Sequence, residues 1–295
     1  MKHYWFSYTT SIICLLILVI GGYWFFYPER MQKIYLTSPL PAAFSLLSNK
    51  QVTSLVVWKP NKSVLGASTE ALPIGARSAL AYDLTKDTIL YAKQPDQRLP
   101  MASLTKVMTA IIALEHPKKS DTYLVRENDL VGEDSMGLEK GEVLSLKELL
   151  YGLLLPSGND AAEVLASHFP GGRAAFIKAM NEKAQALGLA NTHFPNPTGL
   201  QGDGEQYTTG YDLLVLTRYA LANFPLFTEI VATADTAIPK TGTHKEYYLE
   251  NTTNLLTSYT GVKGVKTGFT PEAGYCLLTY LDYEGHKVIA VVLGS

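Results

Sequence analysis

Apolar and polar positions change rhythm several times along the chain, and each change marks an element. Residues 4–27 carry no charge, and the stretch from Ile12 to Ile20 is continuously apolar. At about 1.5 Å of rise per residue, a helix of that length crosses a hydrocarbon layer of roughly 30 Å. Aromatic residues stand at both ends of the run (Tyr4, Trp5, Phe6 and Tyr8; then Tyr23 to Tyr27), as at lipid–water interfaces. No small-x-small pattern closes the run, and Ala42-Ala43 lies well beyond it, so residues 1–34 read as an uncleaved signal anchor. Lys2 on one side and Arg30 and Lys33 on the other leave its orientation open.

Residues 35–71 mix proline, serine and short apolar stretches and read as a linker, with a possible strand at 52–58. Alternation at 78–82 and 88–92, around Lys86-Asp87, predicts a hairpin. Helical spacing follows at 103–114, 146–155, 161–169, 173–187 and 211–222, with Pro117 and Pro156-Ser157-Gly158 as stops. Strand patterns return at 236–238, 247–249, 264–269, 275–281 and 287–293. Turns at 271–274 and at Glu284-Gly285 make the last three antiparallel neighbours. The order predicts a mixed α/β body over 72–295: an antiparallel sheet flanked by helices, plus a mostly helical subdomain.

Composition narrows the chemistry. Hydrophobic residues make up 47% and charged residues 18% of the 295, enough apolar material for a large core. The 25 basic and 27 acidic residues leave a net charge of −2, which gives no footprint for a nucleic-acid partner. Two cysteines rule out a disulfide scaffold: Cys14 lies in the apolar run and Cys276 alternates with apolar neighbours in a strand. The six histidines form no ligand-spaced cluster, so neither metal nor cofactor is expected, and His193 beside Phe194 reads as a packed loop residue.

Three short motifs carry candidate chemistry. Ser103-Leu104-Thr105-Lys106 opens a helix, so the hydroxyl and amine share one face, and a neutral lysine can activate the serine. Backbone N–H groups at the helix start can also face a developing oxyanion. Ser157-Gly158-Asn159 lies in a sharp turn between two helices, with Asp160 as a helix cap. Lys266-Thr267-Gly268 lies in an apolar strand, where cation and hydroxyl can hold an anionic group and the glycine admits a close ligand. A second copy, Lys240-Thr241-Gly242, sits in polar surroundings and reads as a solvated hairpin tip. Two lysines facing one cleft depress each other's pKa, which favours a neutral Lys106.

These motifs and their neighbours resemble the D-alanyl-D-alanine carboxypeptidases, low-molecular-weight penicillin-binding proteins that trim peptidoglycan stems. The resemblance spans about 71–295. It includes Pro100-Met101-Ala102-Ser103, Pro156-Ser157-Gly158-Asn159-Asp160-Ala161-Ala162, Asn196-Pro197-Thr198-Gly199-Leu200 and Gly264-Val265-Lys266-Thr267-Gly268-Phe269. It implies a penicillin-binding-protein/β-lactamase-like fold. Ser103 is then the nucleophile, Lys106 its proton acceptor and Ser157 a proton relay. Asn159 would bond the substrate backbone, and Lys266 and Thr267 would hold the terminal D-alanine carboxylate or its β-lactam mimic. The N–H groups of Ser103 and Phe269, beside Gly268, would form the oxyanion hole. The implied partners are the stem peptide ending in D-Ala-D-Ala, β-lactams as inhibitors, and a membrane held through the N-terminal helix, with the body on the extracytoplasmic side of the cell membrane.

Three alternatives stand beside this reading: a D,D-endopeptidase of cross-links, a class A-like β-lactamase, and a non-catalytic penicillin- or wall-binding protein. Against the β-lactamase, Ser157-Gly158-Asn159 replaces Ser-Asp-Asn, no glutamate lies between Leu187 and Asp203, and Glu205 stands in a Gly-Asp-Gly context. Relatives continue past the position of Ser295 with a further helix, so a catalytic domain truncated at its C-terminus is expected.

Overall fold

The computed structural model describes residues 58–62 and 73–295; the apolar run at 4–27 and all but the last residue of the possible strand at 52–58 lie outside them. In chain order the strands are β1 (Ser78–Asp83), β2 (Thr88–Lys93), β3 (Tyr123–Leu124), β4 (Val143–Leu144), β5 (Asp235–Ile238), β6 (Tyr247–Glu250), β7 (Val262–Thr270), β8 (Gly274–Tyr283) and β9 (His286–Leu293). Five of them form one antiparallel sheet in the order β2-β1-β9-β8-β7, while β3–β4 and β5–β6 form two small pairs. The two ends of the sequence-predicted sheet thus meet: the early hairpin pairs with the last strand, Leu80 opposite Val291 and Tyr82 opposite Ile289. β7 is left at the edge.

Period-two alternation decides which face is covered. Leu80, Tyr82, Leu278, Ile289, Val291 and Leu293 are almost fully buried, whereas their neighbours Ala81, Leu277, Ala290 and Val292 are only half-buried. The inner face receives the helix Gly210–Asn223. Before it come α1 (Lys106–Glu115), α2 (Leu146–Leu154), α3 (Asn159–Ser167) and α4 (Gly172–Ala186); then come α5 (Gly210–Asn223), α6 (Pro225–Val231) and the single turn α7 (Leu255–Ser258). α5 packs on β1 and β9.

α1 is the hub. Every residue from Lys106 to Ala113 is buried, and α2, α3, α4 and α5 all pack against it. A helix apolar on all sides belongs inside a bundle, and Val107, Met108, Ile111 and Ile112 each contribute about 1.5–3 kcal/mol by leaving water. Lys106, on the first turn of this helix, is therefore carried into the core with no exposed surface.

Two expectations need adjustment. The helix predicted from Ser103 begins instead as a 3-10 turn, Ala102–Thr105, and becomes α-helical only at Lys106. The segment at 58–62, read as linker, packs on the body. Trp58 meets Tyr82 edge-on at 5.7 Å, Arg218 lies 4.4 Å over the Trp58 ring, and the Asn61 N–H donates to the Tyr82 hydroxyl at 2.8 Å. α6 and α7 were not foreseen because one or two turns are too short to show a period.

Candidate active site

The 3-10 turn places residues three apart directly above one another, and the Ser103 hydroxyl lies 2.9 Å from Lys106 Nζ. The same Nζ donates to Asn159 Oδ1 at 2.7 Å and to the Thr198 carbonyl at 2.8 Å. Both of those oxygens can only accept. In its neutral form the amine has two hydrogens, which these acceptors can take, leaving the lone pair to face Ser103. Lys106 is held well below the ordinary lysine range, first by complete burial and then by the positive charge of Lys266; the carboxylates of Asp134, Asp160 and Glu163 oppose this.

The cradle around Nζ comes from two further segments. After α2 the chain turns sharply at Ser157, which has a left-handed φ of 70°, and Gly158 donates its N–H to the Gly152 carbonyl at 2.9 Å. A Cβ on Gly158 would lie 2.8 Å from that carbonyl oxygen, so the middle position of the motif admits no side chain. Asn159 donates its backbone N–H to the Asp134 carbonyl at 2.7 Å and its side-chain Nδ2 to the Glu133 carbonyl at 3.2 Å, which turns Oδ1 toward the lysine.

Asp160 does not cap its helix as expected, because Gly158 holds that position and Asp160 already lies in the first helical turn. Its carboxylate accepts from the Ala161 N–H of its own first turn at 2.8 Å and reaches mainly to the loop before β4, accepting from the N–H groups of Met136, Gly137 and Leu138 at 3.0–3.1 Å and from the Ser135 hydroxyl at 2.5 Å. An acid near a helix start is favoured, and here it ties down the loop that orients Asn159.

Thr198 presents its carbonyl from a loop organised by Asn196, whose Oδ1 accepts from the N–H groups of Thr198 and Gly199 at 3.2 and 2.7 Å. Thr109 on α1 donates to the Pro197 carbonyl at 2.6 Å. Gly199 has φ of 86°, and a Cβ there would fall 2.0 Å from the Ala102 carbonyl oxygen. The loop is pressed directly against the Ser103 turn.

The opposite wall is the edge strand. Lys266 has no exposed surface and donates to the Thr267 carbonyl at 3.0 Å; burial brings it down to about 7, with Asp134 acting the other way. The depression is one-sided: the charge of Lys266 helps to lower Lys106, whereas Lys266 is lowered by its burial. A Cβ on Gly268 would lie 3.0 Å from the backbone nitrogen of Ser103. Tyr275, opposite Phe269, gives both its N–H and its carbonyl to Ser295, so Phe269 sits in a non-hydrogen-bonded pair and its N–H faces the open edge, where the Ser103 turn lies.

A cavity of about 610 Å³ opens between these walls, lined in part by Ser103, Ser157, Thr252, Thr267, Gly268 and Phe269. Lys106, Asn159 and Lys266 lie buried behind it. Ser157 is 4% exposed, and its buried hydroxyl has no hydrogen-bond partner among the described residues. All eight sequence-predicted positions therefore come together. Lys240, Thr241 and Gly242 are exposed in the loop between β5 and β6, as expected. Cys276 is buried, and the His193 ring lies against Tyr207 at 5.9 Å.

Three groups were missed as contributors: the Thr198 carbonyl, the Thr252 hydroxyl, 2.7 Å from that of Thr267, and Asp134 on the cavity wall. Only Thr198 carried a signal, inside Asn196-Pro197-Thr198-Gly199-Leu200; a backbone carbonyl leaves no mark of its own in a sequence.

A half-buried serine beside a buried amine, facing an unpartnered hydroxyl and an open strand edge, has the parts of a serine acyl-transfer enzyme. Comparison with known proteins specifies the family. Residues 66–295 match the family model described as D-alanyl-D-alanine carboxypeptidase. The chain is 37% identical over 236 residues to the D-alanyl-D-alanine carboxypeptidase DacF of Bacillus subtilis, covering 78% of this chain and 60% of that protein. It is 34% identical over 257 residues to a D-alanyl-D-alanine endopeptidase of Pseudomonas aeruginosa, covering 84% and 80%. The crystal structure of a Streptomyces DD-transpeptidase superposes with a TM-score of 0.71 at 35% identity, over 77% of this chain and 92% of that one. The chain belongs to the D-alanyl-D-alanine carboxypeptidase family.

Gly199→Ala tests the packing of the Thr198 loop on the Ser103 turn. The added methyl meets Ala102 in a backbone conformation that disfavours side chains, so the variant should lose about 2–4 kcal/mol in chemical denaturation. Unchanged stability would show that the loop does not press on the turn.

Proposed function

We propose that the body is a serine D,D-carboxypeptidase that removes the terminal D-alanine from peptidoglycan stem peptides. The observation that carries this reading is the three-way environment of Lys106, in which two acceptors use the amine hydrogens and Ser103 faces what remains. Ser103 Oγ attacks the carbonyl carbon of the D-Ala–D-Ala bond while Lys106 takes its proton. The oxyanion is received by the N–H groups of Ser103 and Phe269. Ser157, placed to accept and donate, passes a proton to the leaving amine, and D-alanine departs with its carboxylate at Lys266 and Thr267. Asn159 bonds the substrate backbone. Water then attacks the ester and Lys106 again takes the proton, freeing Ser103. A β-lactam carboxylate and carbonyl fit the same positions and leave a covalent ester on Ser103.

The body works outside the cell membrane, tethered by the apolar run at 4–27. The length of that run and the extracytoplasmic location of the substrate support this. Full-length protein should sediment with membranes, and a version lacking residues 1–34 should not; equal partition of the two would remove the tether.

Incubation with a penicillin should add one molecule to the intact mass, and Ser103→Ala should show no addition. The native protein should release D-alanine from a D-Ala-D-Ala peptide, whereas cleavage of cross-linked dimers alone would make it an endopeptidase. The protonation states add a second test. Lys106 must be neutral, so kcat/KM rises as pH climbs through its lowered pKa. Lys266 must be charged to hold a carboxylate, so kcat/KM falls above about 7, by about tenfold per pH unit once the limb is established. A profile flat from pH 6 to 9 would contradict the assignment of Lys266.

A further inference from the structure

Thr252 belongs to none of the three motifs, yet its hydroxyl lies 2.7 Å from that of Thr267. The two come from different parts of the fold. The backbone N–H of Thr252 donates to the Leu155 carbonyl just past α2, at 3.1 Å, whereas Thr267 rides on the edge strand. Both line the cavity, together with the buried and unpartnered Ser157 hydroxyl. Lys266 Nζ is bonded to the Thr267 carbonyl next to them.

Two hydroxyls this close satisfy each other in part: one donates, the other accepts, and one O–H hydrogen is left to turn outward. A group with two anionic oxygens changes the arrangement, because each hydroxyl can then donate to it. Bonds of that kind are stronger than neutral ones.

Resting on the function proposed above, we infer that Thr252 is a second hydroxyl of the seat for the free α-carboxylate of the leaving residue, paired with Thr267. The seat selects substrates whose leaving residue ends in a free acid over those in which it is amidated. It also spans two separate pieces of chain, the edge strand and the segment anchored at Leu155.

The test compares an N-acetylated tripeptide ending in D-Ala-D-Ala with its C-terminal amide, using the native protein, Thr252→Val and Thr252→Ser. Thr252→Val keeps the side-chain shape and removes the hydroxyl. It should lower kcat/KM on the free acid by about tenfold, chiefly through KM, and leave the amide within about twofold. Thr252→Ser should restore most of the loss. An equal loss on acid and amide, or no loss on the acid, would overturn the inference while native cleavage and the penicillin adduct on Ser103 kept the proposed function standing. Native protein that cleaves neither peptide and takes no adduct would overturn both.

Discussion

The body is organised around one buried amine. An isolated ammonium in the core would cost far more than any single contact returns, so burial holds the Lys106 pKa well below the ordinary lysine range, with each direction around Nζ assigned. Three separate pieces of chain supply those directions: the 3-10 turn that carries Ser103, the start of α3 that carries Asn159, and the loop that presents the Thr198 carbonyl. The packing of α2, α3, α4 and α5 around α1 keeps water out and so sustains that depression.

Glycines hold the Ser103 turn from two sides. Gly199 presses on the Ala102 carbonyl from the loop, and Gly268 comes up to the Ser103 nitrogen from the edge strand. Neither contact has room for a methyl group without displacement, so the position of Ser103 is set by backbone meeting backbone rather than by side-chain packing. Such contacts have few soft degrees of freedom, which suits a site where a small shift of a reacting atom is costly. The Asp160 carboxylate adds a third restraint, gathering the 135–138 loop and, through it, the orientation of Asn159.

The matched relatives carry different activities in their names: carboxypeptidase, endopeptidase and transpeptidase. A serine ester can be resolved by water or by an amine, and the group expelled can be small or large. A shared Ser-Lys arrangement is compatible with every one of these outcomes. Specificity then rests on the walls beyond the serine, where Thr252, Asp134 and the open edge of β7 line or border the cavity.

Much of the fold was legible in the sequence because the two periods are distinct. Alternation at 275–281 and 287–293 and helical spacing at 146–155 translate directly into β8, β9 and α2. The motif residues were also legible, since hydroxyl, amine and glycine at short spacing are visible as letters, and the apolar setting of Lys266 set it apart from Lys240. Tertiary structure alone decided the rest. It closed the early hairpin onto β9 and made α1 the central helix, which is what buries Lys106 and lowers its pKa. It recruited the Thr198 carbonyl, which belongs to every residue type and so to no motif. It also sent most of the Asp160 carboxylate's bonds across to a neighbouring loop, beside the one it takes from its own helix start at Ala161. Those outcomes depend on which distant segments meet, and a local pattern of residues contains hydrophobicity and spacing but no distances through space.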